Sequence, residues 1–218
     1  MELHFDQELT QLKETLLRMA GLAEQSVAEA LRALVQRDSA LAEKVTANDV
    51  ELDRLEIELD EMCVNLIALR QPKATDLRFV VMTMRISGEL ERIGDQAVSI
   101  AARAIELNKE PILKPLIDIP HMAELAKAMT HDALDAFVYG KTDLARDVIQ
   151  RDNRLDALNL QLHRELTSYM LEDPHTITRA LNLMTVSRKL ERVADHATNI
   201  AEEVVYLYEA RDIRHQHQ

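Results

Sequence analysis

The sequence predicts an all-α fold: two tandem three-helix bundles, six long antiparallel helices related by internal duplication. Three observations carry that expectation. Aromatics are 3% of the residues and only four Gly and five Pro interrupt 218 positions, while Ala, Leu, Glu, Met and Arg, the residues of long helices, dominate. Apolar residues recur at helical spacing nearly end to end. The chain also repeats itself. Val45, Asp49, Leu52, Asp53, Leu55 and Leu59 return 103 positions later as Val148, Asp152, Leu155, Asp156, Leu158 and Leu162. The same offset pairs Met19 with Met122, Leu31 with Leu134 and Leu41 with Leu144, and ELERIGDQAVSIA at 89–101 returns as KLERVADHATNIA at 189–201.

Each element follows in order. Leu9, Leu12, Leu16, Met19, Ala23, Val27, Ala30 and Leu34 form the stripe of a first helix. Asp38-Ser39 can cap a second, whose stripe is Leu41, Val45, Leu52, Leu55, Leu59, Met62 and Leu66. Pro72 and Thr75 separate it from a third, with Met82, Ile86, Leu90, Ile93, Ala97, Ile100 and Ala104. Prolines at 111, 115 and 120 rule out a continuous helix over 108–120, which is the expected linker between a first repeat (1–107) and a second (121–218). A fourth helix runs to about Val138, Gly140-Lys141-Thr142 makes a tight turn, and a fifth runs to about Leu171. Asp173-Pro174 breaks it, and a last long helix continues to about Ala210. Short connections make consecutive helices antiparallel neighbours.

Charge and cysteine usage narrow the function classes. Lys plus Arg number 26 against 38 Asp plus Glu, a net charge of −12. Such a field repels nucleic acid and anionic lipid and attracts cations or basic protein surfaces. A single cysteine, Cys63, excludes an intrachain disulfide and fits a reducing compartment. The N-terminus, MELHFDQELTQL, has no basic region followed by an apolar core, and no stretch is apolar enough for a membrane span. A soluble cytoplasmic protein without direct membrane insertion is expected.

What the copies keep most faithfully is acidic. On the third helix Glu91 and Asp95 lie about 100–140° around from the apolar arc, among Met84, Ser87, Val98 and Ala102. The last helix repeats them as Glu191 and Asp195, with Met184, Ser187, Thr198 and Glu202 on the same side. On the second helix Asp49, Asp53, Glu56 and Asp60 share one narrow arc beside the leucines, and the fifth offers Asp152, Asp156, Asn159 and His163 there. Like charges four apart cost about 0.2–0.5 kcal/mol per pair. For one pair a solvated acidic face is the ordinary expectation. Four pairs at homologous positions point instead to ladders that converge between adjacent helices and need a cation to offset their repulsion. Oxygen donors suit Mg²⁺, Mn²⁺, Ca²⁺ or iron, and His163 tilts its half toward a transition metal.

Other candidates are weaker. Cys63 sits where a small buried apolar residue is expected. Arg78, Arg85, Arg92 and Arg103 read as a salt-bridged outer face rather than a phosphate clamp, and His215 and His217 as a frayed terminus. A di-iron oxidase wants Glu-x-x-His on inward-facing helices; the one match, Glu172 with His175, is interrupted by Pro174. There is no phosphate-cradling glycine loop, nucleophile elbow or Cys/His metal spacing. The sequence argues against an enzyme.

The combination resembles the PhoU family. Glu91-Arg92-Ile93-Gly94-Asp95 and Glu191-Arg192-Val193-Ala194-Asp195 are similar to that family's paired E/D-x-x-x-D motifs, with Asp49/Asp53 and Asp152/Asp156 as the other copies. QPKATDLR at 71–78, YMLED at 169–173, and Tyr206 followed by RDIRH at 211–215 also match its pattern. The resemblance implies a negative regulator of phosphate uptake and of the phosphate-starvation response. It would be a homodimer acting between the high-affinity phosphate ABC transporter, through the ATPase subunit, and a membrane sensor histidine kinase. It further implies that the eight motif acids bind Fe, Zn, Mg or Mn, with Glu56, Asp60, His163, Glu202, Arg92 and Arg192 as further metal or partner contacts. Asn159 and His163, standing where the first repeat has Glu56 and Asp60, make the second site less acidic. Two alternatives are a metal store without a signalling partner and a structural dimer whose acids serve solubility.

Overall fold

The computed structural model describes residues 2–209, with side chains from Phe5 onward. The RDIRH segment, His215 and His217 lie outside the described residues. Six α-helices account for nearly all of them: α1 (Glu2–Gln36), α2 (Ser39–Arg70), α3 (Ala74–Asn108), α4 (Asp118–Tyr139), α5 (Thr142–Glu172) and α6 (Ile177–Glu209). A single 3-10 turn, Pro174–Thr176, joins the last two. Helices α1–α3 pack on one another, as do α4–α6, and the two bundles meet through α3 against α6 and α1 against α4.

The apolar stripes form one continuous core. Leu12, Leu16, Met19, Leu52, Leu55, Leu59, Ile86, Leu90, Ile93 and Ile100 are shut off from solvent in the first bundle, and Met122, Phe137, Leu155, Leu166, Val186 and Leu190 in the second. Phe79 of α3 stacks on Phe137 of α4 with ring centroids 5.0 Å apart, so the core runs across the junction. Cys63 is fully buried, its Sγ–H directed at the Val80 carbonyl, and burial pushes its thiol up to about 12. It is a core residue.

Turn chemistry bounds several of the helices. Asp38 accepts a hydrogen bond from the Leu41 amide at 3.0 Å and caps α2. Gln71 ends α2 in the left-handed region (φ 48°) and returns its amide to the Ile67 carbonyl. Gly140 ends α4 at φ +66°, and the Tyr208 ring lies so close that a Cβ there would sit 3.0 Å from it. Both facts require glycine at this turn. Asp173 accepts from the His175 amide and caps the 3-10 turn, which removes Glu172 and His175 from any shared helical face.

Two sequence expectations are corrected. Pro120, expected to end the linker, lies in the first turn of α4, where its missing N–H has no intrahelical partner to lose. The non-helical crossing is 109–117, and it is tied down. Arg37, itself at φ 58°, donates to the Asn108 and Glu110 carbonyls, both at 2.7 Å; Arg179 donates to the Pro111 carbonyl; buried Lys114 pairs with Asp118 and Glu165 at 2.9 and 2.5 Å.

The second correction concerns the arginines of α3, two of which reach across to the other bundle. Arg85 pairs with Glu203 of α6 at 2.8 Å and Arg103 donates to Asn182 of α6 at 3.3 Å. Between them Glu89 meets His196 Nδ1 at 2.7 Å and accepts from Asn199 at 3.0 Å. Arg85 and Arg92 both keep the expected exposed, salt-bridged character, Arg85 across the seam and Arg92 with Glu89 along its own helix. The second bundle covers this flank of α3 only in part, and Arg85 stays 47% exposed. Among the described residues no helix is long and apolar enough to cross a membrane.

Candidate functional site

The acidic ladders meet between neighbouring helices in both halves. In the first, Asp49 of α2 feels Asp53 on its own helix and Asp95 across the groove, and Glu91 of α3 feels Asp95, Glu56, Asp53 and Asp49. Burial first, and this repulsion second, push the Asp49, Glu56 and Glu91 carboxyls above their usual range. The groove is narrow because α3 carries Gly94 where α2 crosses it. A Cβ there would lie 2.6 Å from Leu52 Cδ1 and 3.3 Å from Asp49 Oδ1. Glycine at 94 therefore lets the two helices, and their acids, approach. Asp60 adds its charge beside Glu56.

The second half repeats the design with a different far end. Asp152 of α5 is pushed up to about 7, by burial and then by Asp156, Asp195, Glu191 and Glu202. Its Oδ1 is buried without a hydrogen-bond partner. Burial and then Asp195 and Asp156 raise Glu191, against partial compensation by Arg188 and Arg192. Burial also raises Asp195, and here Arg192 and His196 oppose it. Farther along, the acids give way to a hydrogen-bonded chain. Asn159 donates to Glu191 at 2.9 Å, Ser187 donates to Asn159 Oδ1 at 2.8 Å, and His163 Nε2 lies 3.2 Å from Ser187 Oγ. His163 Nε2 also lies 3.4 Å from the Met184 carbonyl, which can only accept, so Nε2 serves as the donor. His163 is thus fastened to the wall of α6, not aimed among the carboxylates.

All eight motif acids therefore stand in the predicted grooves, with Glu56 and Asp60 beside the first set and Glu202 beside the second. Arg92 and Arg192 are exposed and hold no motif carboxylate in a salt bridge: Arg92 takes Glu89, and Arg192 acts on Glu191 and Asp195 through its field alone. The donor chemistry fits a hard cation, since the first groove offers only carboxylate oxygen and the second carboxylates with one amide. The fit is one of charge rather than of ready geometry, because no three or more His, Cys, Asp and Glu side chains among the described residues are gathered to hold a metal ion.

A protein-family model described as the PhoU domain matches the chain twice, over residues 16–104 and 119–204. The chain belongs to the PhoU family. A phosphate-specific transport system accessory protein PhoU homolog from Aquifex aeolicus is 44% identical over 210 residues, covering 96% of this chain and 95% of that relative. The crystal structure of PhoU from Pseudomonas aeruginosa superposes with a TM-score of 0.91 at 41% identity, covering 95% of this chain and 100% of that one. The phosphate transport system regulatory protein PhoU from Streptococcus pneumoniae gives 0.89 at 29% identity, over 96% and 99%. The PhoU resemblance and the all-α duplicated fold expected from the sequence both hold.

Sequence reasoning missed the polar seam between the halves. Its signal was present in the places where the copies differ. Glu89 and His196, which meet across the seam, stand opposite Lys189 and Gln96 in the repeat alignment. Those positions are free of the bundle's own constraint and were available for contacts between bundles.

Proposed function

We propose that this PhoU-family chain is an accessory protein of phosphate transport, one that restrains phosphate uptake and the phosphate-starvation response when phosphate is plentiful. It acts by binding rather than turnover, as a cytoplasmic adaptor between the transporter's ATPase subunit and a sensor histidine kinase, and as a homodimer. Residues 1–107 and 121–218 serve as its two repeats, joined by the strapped crossing. The names of its relatives and the match along nearly the whole chain support this role.

The observation that supports the site is the pair of acidic ladders facing each other in each repeat, where burial and then the neighbouring carboxylates push Asp152 up to about 7. Asp49, Asp53, Glu91 and Asp95, with Glu56 and Asp60, would hold a cation in the first groove. Asp152, Asp156, Glu191 and Asp195, with Glu202, would hold one in the second. A bound divalent ion supplies the positive charge that joins α2 to α3, or α5 to α6. The protein's own part is to hold these carboxylates close together, with Asp49, Glu91, Asp152, Glu191 and Asp195 partly buried, until that charge arrives. Arg92 and Arg192, exposed beside the grooves, would meet the partner.

The test replaces Glu91, Asp95, Glu191 and Asp195 together by Ala. Metal content by elemental analysis should fall to background while far-UV circular dichroism keeps the helical signal. Unchanged metal content would remove the cation from the proposal. Capture of the transporter ATPase subunit and of the kinase cytoplasmic region by the intact chain tests the adaptor role, and failure of both would leave a metal store.

A further inference from the structure

A row of apolar side chains faces outward along α2, on the side turned away from the core. Val50, Ile57 and Val64 are 70%, 60% and 55% exposed. They follow one another at seven-residue steps, so at 100° per residue the row drifts by only about 40° while running about 21 Å along the helix. Exposed Ala68 extends it. At the corresponding positions of α5, one repeat later, stand Asn153, Leu160 and Thr167. A bundle of the same plan therefore folds without this row, and burial within the fold does not account for it.

The charges beside the row define what could cover it. Asp53 and Asp60 border one side, and Glu61, Arg54 and Glu58 the other. Arg54 is already neutralised by Glu51 at 2.6 Å and Glu58 at 3.4 Å, and Glu58 also takes Arg18 at 3.3 Å. Asp53, Asp60 and Glu61 are exposed, and none of the three has a cationic partner among the described residues. The face is thus an apolar strip with uncompensated negative rims. A second copy of the chain is a poor occupant, since the same rims would oppose each other on two chains of net charge −12. Anionic lipid is repelled for the same reason.

We propose that this face of α2 docks an amphipathic helix of a partner protein, one whose apolar residues recur every seven positions between flanking lysines or arginines. Helix lies on helix: the partner's apolar row covers Val50, Ile57 and Val64, and its cations reach Asp53, Asp60 and Glu61. The surface belongs to the first repeat alone, so a chain with two alike bundles has one such dock. The dock shares Asp53 and Asp60 with the first cation groove, and the test separates the two because Ile57, Val64 and Glu61 take no part in that groove.

The test uses a fluorescein-labelled synthetic helix of about three heptads with Leu at the apolar positions and Lys beside them, titrated with the full chain and followed by anisotropy. Saturable micromolar binding is expected, weakened several-fold by raised salt and by Glu61→Lys. The double variant Ile57→Ser/Val64→Ser should weaken it tenfold or more, whereas Leu160→Ser on α5 should leave it unchanged. A control peptide keeping its lysines but carrying Ser for Leu should bind at least tenfold less. Equal binding by the two peptides, or by wild type and the double variant, overturns the proposal. So does a dimer in sedimentation that the double variant dissociates, which would assign the row to a second copy. All substitutions are at exposed positions, and unchanged circular dichroism verifies that each variant is folded.

Discussion

Replacing Asp152 by Asn should stabilise the metal-free protein, although it alters a residue placed in the cation groove. Asp152 is pushed from its ordinary 3.8 up to about 7, first by burial and then by four neighbouring carboxylates. In the unfolded chain it ionises at its ordinary value. The folded state therefore holds a proton that the unfolded state has lost, and folding becomes less favourable as pH climbs through that interval. The contribution is fully present below pH 3.8, is lost as pH rises toward 7, and changes no further above it. At about 1.4 kcal/mol per pH unit the unscreened loss is about 4 kcal/mol. The side chain is only half-buried, and water screening reduces that to about 1–2 kcal/mol. For a chain of this size the difference is about 3–6 °C in melting temperature.

The assay is thermal melting by circular dichroism of wild type and Asp152→Asn in EDTA, at pH 4, 6 and 8. The variant should melt higher by that amount at pH 8 and converge with wild type at pH 4. Added Mg²⁺ or Mn²⁺ should then raise the wild-type melting temperature more than the variant's, because the ion offsets the same repulsion. A variant that melts below wild type at pH 8, or a gap that does not change with pH, would refute the assigned origin of the strain.

Other outcomes follow from single contacts. Gly94→Ala drives a Cβ into Leu52; overpacking of about 1–3 kcal/mol, less about 1 kcal/mol of helix propensity, leaves a net destabilisation measurable by urea titration. Lys114→Met leaves Asp118 and Glu165 without their shared cation at a buried site, and a loss of about 1–3 kcal/mol is expected by the same titration. Cys63, buried and held near pKa 12, should resist a thiol reagent at pH 8 in the native protein and react at once in denaturant. Arg85→Ala removes the Arg85–Glu203 pair across the seam and should raise amide exchange along α3 and α6 more than along α2 and α5.

Much of this molecule was legible because helical periodicity is a local property. The stripes from Leu9 to Leu34 and from Met82 to Ala104, the Asp38 cap and the Gly140 turn each need only near neighbours to specify them. The ladders were legible for a related reason, since four-residue spacing places Glu91 and Asp95 on one face whatever else the chain does. What escaped depended on packing at long range. Arg85 and Arg103 gave no sign that they would reach Glu203 and Asn182 of α6, and Gly94 gave none that Asp49 and Leu52 would press on it. His163 sat at a ladder position, and only the rotamer it takes against Ser187 shows that it anchors a wall rather than joining the acids. Pro120 illustrates a smaller ambiguity, because proline ends a helix or begins one with equal ease.

The seam has a consequence for how the two grooves influence each other. Helix α3 carries Glu91 and Asp95 on one flank and grips α6 through Arg85 and Glu89 on another; α6 in turn carries Glu191 and Asp195. The two basins thus lie on opposite sides of a common partition only two helices thick. A tug on α3 from its own basin reaches the partition first at directional, charged couplings, which resist sliding more than greasy packing would. A cation filling one side would then change the affinity of the other, and by linkage the reverse change would be equal; identical, independent titration of both sides would separate the duplicated protein into two unlinked cups.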